Sequence, residues 1–153
     1  MAGCKAVLRM LGCALVWAVS PPAHAACGAG EKTVFSCMTQ AGKQIQVCDA
    51  GRTIDYSFGR PNAKPEIVVR APRDAASTFQ WQGVGRNISY TVEIPNGDTR
   101  YVVFWSADRL SERHPIEAGV GVDRNGARLA TVRCIDNKQL VQAIEGIDLK
   151  KSE

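Results

Sequence analysis

Between residues 32 and 134, apolar and polar positions alternate in short runs separated by Gly, Asn, Asp and Pro. A period of two marks half-buried strands. The clearest unit reads Asn87-Ile88-Ser89-Tyr90-Thr91-Val92-Glu93-Ile94, then Pro95-Asn96-Gly97-Asp98, then residues 99–105. Asn-Gly favours a two-residue hairpin loop whose central residues both take φ > 0. With Asn96-Gly97 as the loop, Val92 faces Tyr101, Tyr90 faces Val103 and Ile88 faces Trp105, all on one face. Ser89, Thr91 and Glu93 fall on the other face, so register and pattern agree. A second hairpin is expected at Asn125-Gly126, pairing Val122 with Leu129 and Val120 with Thr131. Gly119 and Gly121 then share a face on which a strand bends or another backbone comes close. A third hairpin turns near Ala41-Gly42, between residues 34–38 and 44–48, where a two- or three-residue loop fits equally. Further strands are expected at 53–58, 66–70 and 78–82. In the tail at 138–147, Leu140, Val141, Ile144 and Ile147 recur at helical spacing, which predicts a short capping helix. Eight or nine short antiparallel strands without an internal repeat predict an all-β domain. Closure as a small antiparallel barrel or sandwich protects its strand edges.

The first residues have a different pattern. Lys5 and Arg9 precede an uncharged, mainly apolar run at 10–19, followed by Pro21-Pro22 and Ala23-His24-Ala25. This is the order of a secretory signal peptide, with cleavage expected after Ala25. The apolar run falls short of the roughly 20 residues that span a bilayer. Lipid attachment at Cys27 is not expected, because His24 stands where a lipid-attachment box carries an aliphatic residue. The expected organisation is a signal at 1–25 and one β domain at 26–153, exported to the periplasm. Lys5 and Arg9 are two of the 19 basic residues, which leaves 17 against 15 acidic ones in the domain. A nucleic-acid binder carries a basic stripe, and no such stripe is evident.

Of six cysteines, Cys4 and Cys13 lie in the signal, leaving Cys27, Cys37, Cys48 and Cys134. An even number in a small exported domain reads as disulfides, with three pairings open. We expect Cys37–Cys134 with Cys27–Cys48, because Cys37 and Cys134 each close a strand-like run. Such a bridge would tie the first strand to the last. With His24 in the expected signal, the domain at 26–153 has one histidine, His114, and no Cys-x-x-Cys pair, which argues against a zinc site. No metal and no cofactor are expected.

A catalytic set is not apparent either. Ser or Cys nucleophiles need a base, and His114 stands in the charged loop Arg113-His114-Pro115. No Gly-x-Ser-x-Gly elbow occurs, and the acids are scattered over turns and exposed strand faces. Gly83-Val84-Gly85-Arg86 leads into a strand rather than a helix, so it reads as a tight turn and not a phosphate cradle. Tyr90 and Trp105 share the apolar hairpin face and read as core, while Trp81 is undetermined. A non-enzyme is therefore expected. Two loops carry the remaining candidates: 59–65 with Arg60, Asn62 and Lys64, and 106–115 with Arg109, Arg113 and His114. Loops on rigid β scaffolds often carry binding function, and arginine is enriched at binding hot spots. These six residues are the expected protein-partner contacts, the alternative function being an envelope or surface binding module, such as an adhesin component or a small-ligand β-barrel.

The order Thr-Val-Phe-Ser-Cys, Gly-Lys-x-Ile-x-Val-Cys, Tyr-Ser-Phe-Gly and a closing Thr-Val-x-Cys resembles small periplasmic proteins of Gram-negative bacteria. Some of these inhibit lysozyme on a small β-barrel with a first-strand cysteine bridged to a C-terminal one. Others are immunity proteins against type VI secretion toxins that attack peptidoglycan, including toxins of L,D-transpeptidase type. The resemblance spans most of residues 27–134 and implies a non-catalytic partner of a cell-wall-acting enzyme. Its motifs are structural, and the Ser-Gly-x-Gly-x-x-Tyr stretch of membrane-bound lysozyme inhibitors does not occur, so no inhibitory residue is implied.

Overall fold

The computed structural model describes residues 27–135 and 139–152. The expected signal at 1–25 and the first residue of the expected helix, Lys138, lie outside the described residues. The strands are β1 (Lys32–Met38), β2 (Gln44–Asp49), β3 (Thr53–Gly59), β4 (Ile67–Pro72), β5 (Ser77–Gln80) and β6 (Asn87–Asn96). They continue with β7 (Thr99–Asp108), β8 (Ile116–Arg124), β9 (Ala127–Arg133), β10 (Val141–Gln142) and β11 (Lys150–Lys151). One sheet has the order β10-β1-β2-β3-β4 and the other β11-β5-β6-β7-β8-β9. The protein is all-β, and of the two expected closures it adopts the sandwich rather than a closed barrel.

The inward positions of both sheets form one core. Phe35, Ile45, Val47, Ile54, Tyr56, Val92, Ile94, Val103 and Val120 are fully buried or nearly so. Each large side chain of this kind contributes about 1.5–3 kcal/mol. Tyr56 of β3 stacks on Tyr101 of β7 with centroids 4.7 Å apart, joining the two sheets at an aromatic contact. Tyr90 and Trp105 stack at 5.8 Å within their sheet, which places them in the core as expected.

The main hairpin keeps the expected faces but not the expected partners. Asn96 pairs with Thr99, Ile94 with Tyr101, Val92 with Val103 and Tyr90 with Trp105. The two-residue loop is Gly97-Asp98, with Gly97 at φ 61°. Glycine at the first central position suits a Gly-X turn. Each residue's partner moves by two places, and because the side-chain period is two, the same residues still face inward. At the second hairpin, Asn125 (φ 50°) and Gly126 (φ 79°) form the expected left-handed pair. A bulge between Val122 and Asp123 then pairs Val122 with Ala130 and Val120 with Val132, not with Leu129 and Thr131. Leu129 is the extra residue and is exposed. A Cβ at Gly119 would collide with the Val132 carbonyl oxygen, so the expected close approach is real. The third hairpin adopts the three-residue option: the Thr39 N–H donates to the Lys43 carbonyl at 2.8 Å, and Gly42 takes φ 68°.

Among the described residues 139–147 the expected C-terminal helix is not formed. Val141–Gln142 is strand β10, paired antiparallel with Ser36 and Phe35 of β1. A turn follows in which the Ile147 N–H donates to the Ile144 carbonyl at 3.1 Å, with Gly146 at φ 72°. Strand β11 then runs parallel to β5. Ile144 is 0 % exposed. Gln80 braces the turn by donating to the Ile144 carbonyl at 3.0 Å and accepting from the Gly146 N–H at 3.0 Å. The physical reason is edge satisfaction: β1 and β5 would otherwise leave backbone groups unpaired at both sheet edges. The tail thereby straps one sheet to the other.

Both expected disulfides are present. Cys27–Cys48 closes a separation of 21 residues and Cys37–Cys134 one of 97. The latter joins the ends of β1 and β9, beside an isolated bridge between Thr39 and Cys134. Cys27 is committed to its bridge and offers no thiol for lipid attachment. Two such bridges place the folded chain in an oxidising, extracytoplasmic compartment. Among the described residues no helix is long and apolar enough to cross a membrane.

Candidate functional site

The two candidate loops are braced in different ways. Between β3 and β4 the chain folds back sharply, so that a Cβ on Gly59 would lie 2.9 Å from the Pro65 Cα. Only glycine admits that approach. The Ala63 N–H donates to the Arg60 carbonyl at 3.3 Å, and Asn62 takes φ 61°, a conformation asparagine tolerates better than most residues. Lys43, from the β1–β2 turn, pairs with Glu66 at 2.6 Å and stands 5.2 Å from the Phe58 ring centroid. Arg60, Asn62 and Lys64 are exposed along this loop.

The connection from β7 to β8 is organised around Asp108. Its Oδ1 accepts from the Leu110 N–H at 2.9 Å and the Ser111 N–H at 3.1 Å, while Oδ2 accepts from Arg86 Nε at 2.8 Å. Its backbone N–H donates to the Pro115 carbonyl at 3.1 Å, and its carbonyl lies 3.1 Å from His114 Nδ1. Desolvation works against the charged form, but the Arg86 guanidinium and the two N–H groups outweigh it and hold the carboxyl below its ordinary value. His114 takes φ 43° and closes the turn by donating its N–H to the Ser111 carbonyl at 3.1 Å.

This loop is locked to the β5–β6 connection. The Arg109 N–H donates to the Arg86 carbonyl at 3.1 Å, and Arg109 Nε donates to the Gly85 carbonyl at 2.9 Å. The Arg109 guanidinium stands 5.5 Å from the Trp81 ring centroid, and Trp81 Nε1 donates to the Val84 carbonyl at 2.8 Å. Gly83 (φ 82°) and Gly85 (φ 97°) allow the tight turn expected there. Val84 is left 81 % exposed and Leu110 64 % exposed on the two adjoining turns.

The six expected contact residues therefore divide. Arg60, Asn62 and Lys64 lie on a loop held against the β1–β2 turn. Arg109, Arg113 and His114 lie on a platform shared with the β5–β6 turn. Arg109 and His114 make bracing contacts in that platform, and Arg113 is exposed. Sequence reasoning missed Val84 and Leu110 as apolar tips and Asp108 as organiser. An Asp two and three positions before the N–H groups it caps is an Asx-turn signature, and it was the available signal.

The carboxylates of the strands are engaged with cations. Asp49 pairs with Arg73 at 2.6 Å, Asp55 with Arg70 at 3.2 Å, Glu93 with Arg100 at 3.0 Å and Glu117 with Arg133 at 2.9 Å. Asp123 pairs with Arg128, whose guanidinium covers Gly121. Burial raises the Asp49 carboxyl, but Arg73 and the Gly51 N–H together hold it below its ordinary value. Cys27, Glu31 and Cys48 bring three potential metal-ligand atoms within 4.8 Å, but the two sulfurs are bonded to each other and are not thiolates.

Fold and site define a disulfide-stapled β-sandwich with a cross-braced loop platform at its surface. No protein-family model, no curated protein and no solved structure matches the chain.

Proposed function

We propose that the chain is a non-catalytic periplasmic protein that binds and neutralises a cell-wall-acting enzyme, as an immunity protein or inhibitor. One observation carries the reading: two surface turns are locked together by hydrogen bonds while leaving Val84 and Leu110 in solvent. A surface held rigid before binding loses little entropy when a partner docks. The disulfides suit an oxidising compartment, and the charged pairs on the strands suit a scaffold better than a general acid, whose pKa must be raised. The target class comes from the sequence resemblance. The test is affinity capture with the tagged, exported protein as bait against periplasmic and secreted fractions of its host. The expected result is recovery of one peptidoglycan-acting enzyme. Absence of any such enzyme from the bound fraction, with those enzymes shown in the input, would contradict the proposal.

A further inference from the structure

We propose that the partner enters through one face only, the platform of the β5–β6 and β7–β8 turns, and that it presents there a concave site lined by carboxylates. This rests on the inhibitory reading above and adds the surface and the partner's chemistry. Val84 and Leu110 project from adjoining turns, and Trp81 lies half-buried behind them. Apolar tips that stand proud of a rigid base fit a recess better than a flat wall. The charge around them is one-sided. Asp108 turns its carboxylate inward, its side chain 16 % exposed, whereas the Arg86 side chain beside it is 65 % exposed. Arg109 and Arg113 are also exposed, against Glu112 as the exposed acid of the same loop. An outward excess of guanidinium is complementary to carboxylates, which it engages through paired N–H donors. The 59–65 loop has cations as well, in Arg60 and Lys64, but its exposed apolar residues are Ala63 and Pro65, a single methyl and a ring closed on the backbone, in place of freely projecting side chains such as Val84 and Leu110.

Photocrosslinking in the native host tests both parts. The full chain is expressed with p-benzoylphenylalanine at position 84 or 110, and in separate controls at 62 or 129, which are also exposed. Positions 84 and 110 should give the same adduct, attached to a partner segment rich in Asp and Glu, and the controls should give none. Arg113→Glu in the position-84 protein should lower adduct yield about tenfold. Adducts from 62 or 129 alone would overturn the surface while sparing the inhibitory reading. An adduct at 84 and 110 on a basic segment, or one indifferent to Arg113→Glu, would overturn the carboxylate assignment. Silence at all four positions, with the target enzyme present and active, would count against both.

Discussion

Removing each disulfide in turn separates the contribution of chain closure from that of local packing. Cys37→Ala with Cys134→Ala opens a separation of 97 residues, and Cys27→Ala with Cys48→Ala opens one of 21. Each pair contains one buried cysteine, Cys37 or Cys48, and one partly buried cysteine, so the packing lost is similar. The entropy released to the unfolded chain is not. The loop-closure relation gives about 4.7 kcal/mol for the longer separation and about 3.3 kcal/mol for the shorter at 25 °C. The first variant should therefore be less stable than the second by roughly 1.4 kcal/mol. Equilibrium urea unfolding of the oxidised proteins, extrapolated linearly to water, measures the difference. The slope should also rise more in the first variant, because its denatured chain expands more on losing the cross-link. If Cys27→Ala with Cys48→Ala costs as much or more, constraint of the unfolded chain is not the main contribution of the first-to-last bridge.

Other outcomes follow from single sites. Ile144→Ala should cost about 2–5 kcal/mol in urea unfolding, because its side chain is fully enclosed under the strap. Gly59→Ala should destabilise by about 1–3 kcal/mol, since the new methyl meets the Pro65 backbone. Val84→Asp with Leu110→Asp should leave the melting curve nearly unchanged, within about 0.5 kcal/mol, while abolishing capture of the partner. Asp49 and Asp108 both titrate below their unfolded value of 3.8, so the unfolded chain binds more protons around and below that pH. Their stabilisation is present above 3.8 and is lost as pH falls through the folded values. Melting temperatures taken from about pH 6 down to about pH 2 should show a drop on the acid side that Asp49→Asn makes shallower.

The strand pattern was legible because strands such as β3, β4, β6 and β7 have one face in the core, and alternation records that directly. Pairing the four cysteines was also within reach, since the run ahead of Cys37 and the run ahead of Cys134 both read as strands that end there. Register was less accessible. Asn96-Gly97-Asp98 contains two overlapping two-residue loops, and shifting between them moves every partner by two places without changing a face, so hydrophobicity cannot choose. The bulge at Leu129 leaves no mark in the alternation beyond an exposed leucine. Leu140, Val141, Ile144 and Ile147 mimic a helix because the tail buries residues irregularly as it crosses from β1 to β5, and its shape is set by the sheet edges it satisfies. Arg109, Arg113 and His114 were visible as a charged loop. The locking of this loop to the β5–β6 turn was not, because it depends on contacts across more than 20 residues of chain, such as the 24 between Arg109 and Gly85 and the 22 between Arg86 and Asp108.

Stoichiometric titration asks whether binding of this protein inhibits the enzyme. The enzyme recovered by capture would be assayed on purified peptidoglycan while the exported protein is added in rising proportion, with the Val84→Asp, Leu110→Asp variant alongside. Activity should fall to background near one equivalent of the native protein and persist with the variant. Tight binding that leaves the enzyme fully active at an excess of the protein would contradict inhibition.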